Sequence, residues 1–331
     1  MRGLGICARI ATQGQTVPGE PEQFMWEDDM NVQRNLIFST AVLVMFGATL
    51  AAAGGPAADA SAPSALPDFS GIWRHGSLPW FVPPASGPGP VTNRSRRRDN
   101  GVSDYGQLVG DYTNPILQPW AADVVKKNGE LSLAGLVFPS PSNQCWPEPV
   151  PYLFKHMAMT MLQLPQRVVM LFSEDHEVRE VRLNQPHPTQ VTPSWHGDAV
   201  GHYEGDALVV DTVGIKVDRP FAMIDLFGTP FTSKLHVVER YQLVDREAAK
   251  GVIERGVKEN WRPNGPPNPN YGDKYLLLHF VVEDEGAFTR PWTADMIYLR
   301  DYLEWPELAC AENPHAMHAE EDVPRADRPD F

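Results

Sequence analysis

Hydrophobic and polar residues alternate with a period of two through much of the chain after residue 157, which is typical of strands with one buried face. Short polar turns at Asp175-His176 and Glu204-Gly205-Asp206 separate such segments and indicate β-hairpins. The predicted strands are, in chain order, DFSGIW at residues 68–73, RVVMLFSE, EVREVRL, DAVGHY, ALVVDTV, LHVVERYQLV, GVIERGVKENW and KYLLLHFVVE. This pattern predicts a mostly β fold, either an antiparallel β-barrel or a sandwich. The barrel is favoured because closure removes exposed strand edges.

One helix and one irregular arm interrupt the strand pattern. The segment QPWAADVVKKNG predicts a helix with Pro119 in its first turn, Lys126 and Lys127 in its last turn, and Gly129 at its end. The preceding stretch, GSLPWFVPPASGPGPVTNRSRRRDNG, holds too many Pro and Gly residues for a helix or a central strand. It is therefore predicted to wrap the surface as an irregular arm. Its basic run at residues 94–98 is interpreted as a solvated loop, with an anion site as the alternative.

The amino-terminal region has the pattern of a secretory signal. One basic residue, Arg34, precedes an apolar run over residues 36–53, and small residues follow. Residues 1–60 are therefore predicted to be a leader, with Met25 or Met30 as the functional start and cleavage after Ala60 favoured over Ala53. An uncleaved anchor is the alternative, because an apolar run of this length can span a bilayer.

The remaining chain is predicted to be one β-rich domain over residues 61–314 with a flexible acidic tail over residues 315–331. Without residues 1–60 the formal net charge changes from −14 to −11, which disfavours nucleic acid and anionic lipid as partners. The signal predicts a secreted or periplasmic protein with no stable membrane insertion after cleavage. In such an oxidising compartment Cys145 and Cys310 can form one disulfide, and two buried thiols are the alternative.

Ionisable side chains are concentrated in HGDAVGHYEGDALVVDTVG, which begins at His196. Strand alternation puts His202 on one face and Tyr203 on the other. Asp211 lies within an apolar run, so we expect it to be paired or to take up a proton. The carboxylates on either side of Gly205 are interpreted as turn residues, with the glycine at positive φ. Asp198, at the mouth of the hairpin, fits a loop clamp or a functional site equally well.

The segment SKLHVVERYQ forms a second cluster. His236 and Arg240 share one strand face, and Glu239 points to the other. A histidine beside an arginine suits general acid–base chemistry, since the arginine can stabilise a developing oxyanion. An ion pair of Arg240 with Asp211 or Asp198 is the alternative. The pattern does not indicate which face points inward.

The hairpin, followed by HVVERY, RPWT and ELACAEN, resembles a large group of secreted bacterial β-rich proteins. In that group the hairpin usually reads W-x-G-D-S-x-G-x-W-E-G-D-T-L-V-V-D-T, and a segment ending in H-P precedes it. The matching residues are His187, Pro188, Trp195, Gly197, Asp198, Gly201, Glu204, Gly205, Asp206, Asp211, Thr212, His236, Glu239, Arg240 and Cys310.

The likeness covers roughly residues 68–313 and implies a β-rich, lipocalin-like fold without bringing any established chemistry. Three positions depart from the pattern. Tyr203 stands where the group usually has Trp, Ala207 where it has Thr, and Phe231 where a His is common. A role that depends on this last histidine is therefore missing here.

These features predict a cofactor-independent acid–base enzyme, of lyase, hydratase or isomerase type, that acts on a small apolar or aromatic metabolite. Asp198, His202 and His236 are the candidate acids and bases, and Arg240 is the candidate charge stabiliser. The side chains predicted to contact substrate are Trp195, Tyr203, His187, Asp211, Glu239 and Trp292. No nucleophile elbow, phosphate loop or dinucleotide fingerprint occurs, and only a loose grouping around His196 suggests a metal, so no cofactor or metal is expected.

Two alternatives remain open. A non-catalytic carrier of a hydrophobic ligand would have a cavity lined almost wholly by apolar side chains. An envelope protein that binds a partner through the Pro-rich arm would have no cavity at all.

Overall fold

The structure is a computed structural model that describes residues 66–75, 81–217, 222–259, 274–300 and 309–310. The predicted leader, the signal cleavage site and the acidic tail lie outside these residues. The strands are β1 Gly71–Arg74, β2 Ala158–Leu164, β3 Arg167–Phe172, β4 Val178–Leu183, β5 Asp198–Glu204, β6 Ala207–Val213, β7 His236–Val244, β8 Tyr275–Glu283 and β9 Trp292–Arg300. The helices are α1 Pro119–Leu133 and α2 Arg246–Lys258, with 3-10 helices at Ser142–Gln144 and Tyr152–Lys155.

The nine strands of the described residues form one closed barrel in which each strand pairs with its neighbours in the sequence and β9 returns to β1. This confirms the predicted mostly β fold and its barrel form. Every pair is antiparallel except β4 and β5, which run parallel and meet only at Arg182–Val200 and Leu183–Gly201. A ring with an odd number of strands cannot close through antiparallel pairs alone, so one parallel pair is required.

Strand alternation sorts the side chains into a buried interior and an outer wall. On β6, Leu208, Val210 and Thr212 are buried, whereas Val209 and Asp211 are partly exposed. On β7, Glu239 is fully buried and points inward with its strand neighbours Val237 and Tyr241. Since His236 and Arg240 lie on the opposite face of β7, both belong to the outer wall.

One predicted strand is a helix. Residues 251–258 of the predicted strand GVIERGVKENW belong to α2, and its last two residues lie outside the described part of the chain. The helix begins after Asp245, whose carboxylate accepts a hydrogen bond from the amide of Ala248 at 2.9 Å. Ala249, Val252 and Ile253 pack against the outer side of β8 and β9. These apolar residues are spaced as on one face of a helix rather than in alternation, which explains why the segment forms a helix and not a strand.

Strands β2 and β9 were not predicted from the sequence. Strand β9 lacks alternation because α2 covers its outer face, so that Ile297 and Leu299 are buried there while Met296 and Tyr298 are buried in the interior. A strand buried on both faces has a continuous apolar pattern, which does not distinguish it from a buried helix.

The predicted helix α1 is confirmed, but it continues past Gly129 to Leu133. Gly129 is buried within the helix and packs against Val109, at a distance where a larger side chain would be crowded. The glycine therefore serves close packing rather than helix termination.

The turns and connections agree more closely with the predictions from the sequence. Both predicted hairpins form, with Gly205 at a φ of 61° and Asp175 and His176 also in the left-handed region. Residues 81–101, the described part of the predicted irregular arm, carry only isolated β-bridges, and the same holds for residues 102–118. Cys145 and Cys310 form a disulfide with their Cα atoms 5.3 Å apart.

Candidate active site on the outer wall

Alternating carboxylates and imidazoles form a hydrogen-bonded row across the outer wall of β4 to β8. His187 contacts the carboxylate of Asp198 through Nδ1 at 2.6 Å and that of Asp211 through Nε2 at 3.1 Å. The same Asp211 oxygen lies 3.0 Å from Nε2 of His236. With the residues at its two ends, this polar chain consists of Arg182, Asp198, His187, Asp211, His236 and Glu283.

The pairing of strands β4 to β8 brings the strand residues of the polar chain side by side. His187 comes from the connection between β4 and β5. Glu283 lies directly opposite His236 on the neighbouring strand, and its carboxylate is 3.4 Å from Nδ1 of that imidazole. At the other end, Arg182 donates to both oxygens of Asp198 at 2.8 and 2.9 Å. Between 20% and 50% of each of these side chains is exposed, so the row is accessible to solutes.

Valines surround the polar chain. Asp211 faces Val200 on β5 and Val238 on β7, and Val238 in turn faces Val281 on β8. Val238 and Val281 are partly exposed, as is Val209 two residues before Asp211. The chain therefore crosses an apolar surface, which can contact the apolar body of a small molecule.

The structure brings together four of the predicted site residues, His187, Asp198, Asp211 and His236. Asp211 is paired, as expected, but its partners are imidazoles. The proposed ion pair of Arg240 with Asp211 or Asp198 is wrong, because Arg240 donates to Glu204 at 2.8 Å.

His202 is another predicted site residue that does not join the polar chain. It also contacts Glu204, at 2.9 Å, and more than half of its side chain is exposed. His202, His236 and Asp198 therefore do not converge in one pocket.

The remaining predicted contacts with substrate lie elsewhere. Tyr203 points inward and its hydroxyl accepts a hydrogen bond from Gln163 at 2.8 Å. Trp292 is buried among aromatic side chains, including Phe280. Trp195 packs edge to face against Trp146, with their ring centres 5.9 Å apart, and the ammonium of Lys216 lies over its ring.

Glu239 belongs to a buried polar network inside the barrel. Arg179 donates to both of its carboxylate oxygens, and the hydroxyl of Tyr241 donates to it at 2.8 Å. Burial alone would lower the pKa of Arg179, but Glu239 outweighs it and raises that pKa. The pair is closed to solvent, which makes it a structural element of the interior.

Sequence reasoning missed a second buried group of charges, next to the 3-10 helix Tyr152–Lys155. Glu148 lies 2.9 Å from Nζ of Lys155 and 2.7 Å from Nε2 of His156, and the hydroxyl of Ser142 donates to it at 2.7 Å. Burial alone would raise the pKa of Glu148, but Lys155 and His156 outweigh it and lower the pKa to about 2. Lys155 ends this short helix, and the others lie in irregular segments, so no periodic pattern in the sequence indicates the group.

Within the residues that the structure describes, no cluster of three or more His, Cys, Asp or Glu side chains is placed to hold a metal ion. None of the helices in the same part of the chain is both long enough and apolar enough to cross a bilayer. Comparison of the chain with protein families, with curated proteins and with solved structures finds no match.

Proposed function

We propose that the protein is an acid–base enzyme that acts on a small molecule with an apolar or aromatic body, and that the polar chain is its active site. The observation that carries the proposal is the sharing of Asp211 by two imidazoles on a valine-rich surface that solutes can reach. A carboxylate that orients an imidazole is a common arrangement for general acid–base catalysis.

His236 is the residue that transfers the proton in this proposal. Its Nε2 is held by Asp211 at 3.0 Å, whereas the contact of its Nδ1 with Glu283 is long, at 3.4 Å. Nδ1 can therefore exchange this partner for a substrate. Asp211 stabilises the imidazolium that forms, and His187 fixes the position of Asp211 from its other side.

The packing of the barrel interior favours the enzyme over a carrier. The barrel interior holds bulky buried side chains such as Trp73, Phe172 and Tyr298, and it also holds the Arg179–Glu239 pair. A carrier of an apolar ligand needs an apolar cavity in that position. The signal pattern in residues 1–60 and the disulfide support the further proposal that the enzyme acts in the periplasm or outside the cell.

Ring opening of 5-nitrobenzisoxazole tests the proposal, because this small aromatic compound reacts by proton removal alone. His236 takes the ring C–H proton, the electron pair of that bond forms a nitrile, and the N–O bond breaks to release a coloured phenolate. We expect His236→Gln to lower the rate above buffer by about 100-fold or more, in the range of general base catalysis. Asp211→Asn should lower it less, since the imidazole remains.

His202→Gln is the matched control, because it removes an exposed imidazole that lies outside the polar chain. Its rate should equal that of the wild-type protein. The proposal is wrong if the wild-type protein opens the ring no faster than His236→Gln does.

A further inference from the structure

A further histidine–carboxylate pair lies on the outer wall, at the edge of the area that α2 covers. Nδ1 of His279, on β8, is 2.8 Å from a carboxylate oxygen of Asp295, its direct neighbour on β9. Along the same face of β8, Leu277 packs with the apolar residues of α2, whereas Val281 is partly exposed. His279 therefore lies where the covered part of the wall ends and the open part begins.

The carboxylate of this pair is shielded from water and held from a second side. Only 7% of Asp295 is exposed. Its other oxygen accepts a hydrogen bond from Nη2 of Arg255, on α2, at 2.9 Å. Nε of Arg255 in turn donates to the carbonyl of Pro83 in the irregular arm at 2.8 Å. These contacts fix the position of the carboxylate, and the guanidinium balances its charge.

This arrangement selects one tautomer of the imidazole. A neutral histidine carries one N–H, and Asp295 accepts it from Nδ1, so the lone pair is on Nε2. Nε2 of His279 has no hydrogen-bond partner in the described part of the chain, and it is not closed to solvent. The nitrogen that can act as a nucleophile is thus the one that a solute can reach.

A guanidinium group lies next to this imidazole. Arg240, on β7, is directly opposite His279, and the Cβ atoms of such neighbours are about 5 Å apart. Its Nη1 donates to Glu204 at 2.8 Å, and no other group of the described residues accepts from it. Its remaining N–H donors can therefore bind an oxygen that becomes negative beside Nε2.

Three other imidazoles of the outer wall differ from this arrangement. Both ring nitrogens of His187 and of His236 contact carboxylates. The carboxylate that contacts His202 belongs to Glu204 and is more than half exposed. Water competes for such a contact, so it orients the imidazole less firmly than the shielded carboxylate orients His279.

We propose that His279 is the nucleophile of a second catalytic site, which hydrolyses activated esters of small apolar acids. Nε2 attacks the ester carbonyl carbon, and the electron pair of the C=O bond moves to its oxygen, next to Arg240. The pair then re-forms the C=O bond, and the C–O bond to the leaving group breaks. Asp295 stabilises the acylimidazolium that remains. Water attacks the acyl carbon, the C–N bond breaks, and the acid loses its proton to solvent.

The apolar acyl group has a place beside the nucleophile. Val238 and Val281 are the next outward residues on β7 and β8, lie opposite each other, and are partly exposed. An acyl chain attached at Nε2 can lie over them. None of the ionisable residues of the polar chain takes part, so the chemistry of this site is separate from that of the proposed active site.

Hydrolysis of 4-nitrophenyl butyrate, followed by the release of 4-nitrophenolate, tests the proposal. We expect His279→Gln to lower the rate above buffer by about tenfold or more, because the attacking nitrogen is lost. His202→Gln is the matched control, since it removes an exposed imidazole of the same wall, and its rate should equal that of the wild-type protein.

Arg240→Gln should lower the rate by about tenfold, because a donor to the oxyanion is lost. Its matched control is Arg167→Gln. Arg167 is also an outer-wall arginine that contacts an exposed glutamate, Glu180, at 3.0 Å, but it lies on β3. This control should leave the rate unchanged.

A comparison within the wild-type protein does not depend on the folding of any variant. Diethyl pyrocarbonate transfers its ethoxycarbonyl group to an unprotonated imidazole nitrogen, with loss of ethyl carbonate. Peptide mapping by mass spectrometry should show His279 modified about tenfold faster than His202. Exposure alone predicts the reverse order, since 42% of the side chain of His279 and 52% of that of His202 is exposed. The proposal is overturned if His279→Gln hydrolyses the ester as fast as the wild-type protein does, or if His202 is modified as fast as His279.

Discussion

At the scale of single residues, Asp225 makes the stability of the fold depend on pH. Burial raises its pKa from 3.8 to about 6 even though two amides donate to it. Between these values the folded state binds more protons than the unfolded state, so the free energy of unfolding falls as the pH rises. Above pH 6 the free energy of unfolding is expected to be about 3 kcal/mol lower than it is at a pH below the unfolded pKa.

Asp225→Asn should remove this dependence. The free energy of unfolding of the variant relative to the wild-type protein is expected to increase by about 3 kcal/mol between about pH 4 and about pH 7. Urea unfolding of both proteins at several pH values measures the difference. A constant difference for Asp225→Asn would show that its carboxyl group is not perturbed.

Residue pairings were only partly predictable from the sequence. The need of Asp211 for a partner follows from its apolar neighbours, but the partner His187 comes from a crossover whose path no local pattern reveals. The inward direction of Glu239 follows from alternation only once β7 is known to bury that face. Asp225 and Lys155 lie outside the strands, and tertiary packing alone determines their burial.

At the scale of elements, the amino-terminal cap of α2 has a measurable effect. Asp245→Ala removes the acceptor for the amide of Ala248 and should lower the free energy of unfolding by about 1 kcal/mol. Asp245→Asn retains a capping oxygen and should lose only a few tenths of that amount. Urea unfolding of both variants checks this, and equal losses would mean that charge rather than the cap stabilises the helix.

Helix α2 also shows what a different interpretation of the sequence could have found. Ala249, Val252, Ile253 and Gly256 recur at helical spacing after a residue that favours caps. The valine and isoleucine of the same segment fit a strand as well, and this ambiguity produced the wrong prediction. Recognising α2 would also have indicated that the outer face of a nearby strand is covered, which is the case for β9.

At the scale of the whole molecule, the disulfide closes a very long loop. Cys145 and Cys310 are 165 residues apart, and the restriction that their link places on the unfolded chain corresponds to about 5 kcal/mol. The double variant Cys145→Ser/Cys310→Ser should lose about that much free energy of unfolding. Guanidinium unfolding measures it, and wild-type protein with a reductant should match the variant. A loss below about 1 kcal/mol would contradict the expectation.

The closed barrel was predictable because many short alternating segments with few helices favour closure. The parallel pairing of β4 with β5 was not, since alternation is identical in parallel and antiparallel neighbours that have one exposed face. The interior position of the Arg179–Glu239 pair was equally hidden, because Arg179 belongs to an alternating strand whose opposite face also carries charges.

The odd strand number has a consequence for chemistry. Two neighbouring strands that point the same way oblige the chain to travel back between them, so residues 184–197 return along the outside of the barrel. His187 is carried on that return path and is laid across carboxylates from two other strands. In a ring of eight or ten strands joined only by hairpins the return path would not exist, and those aspartates would have no imidazole between them.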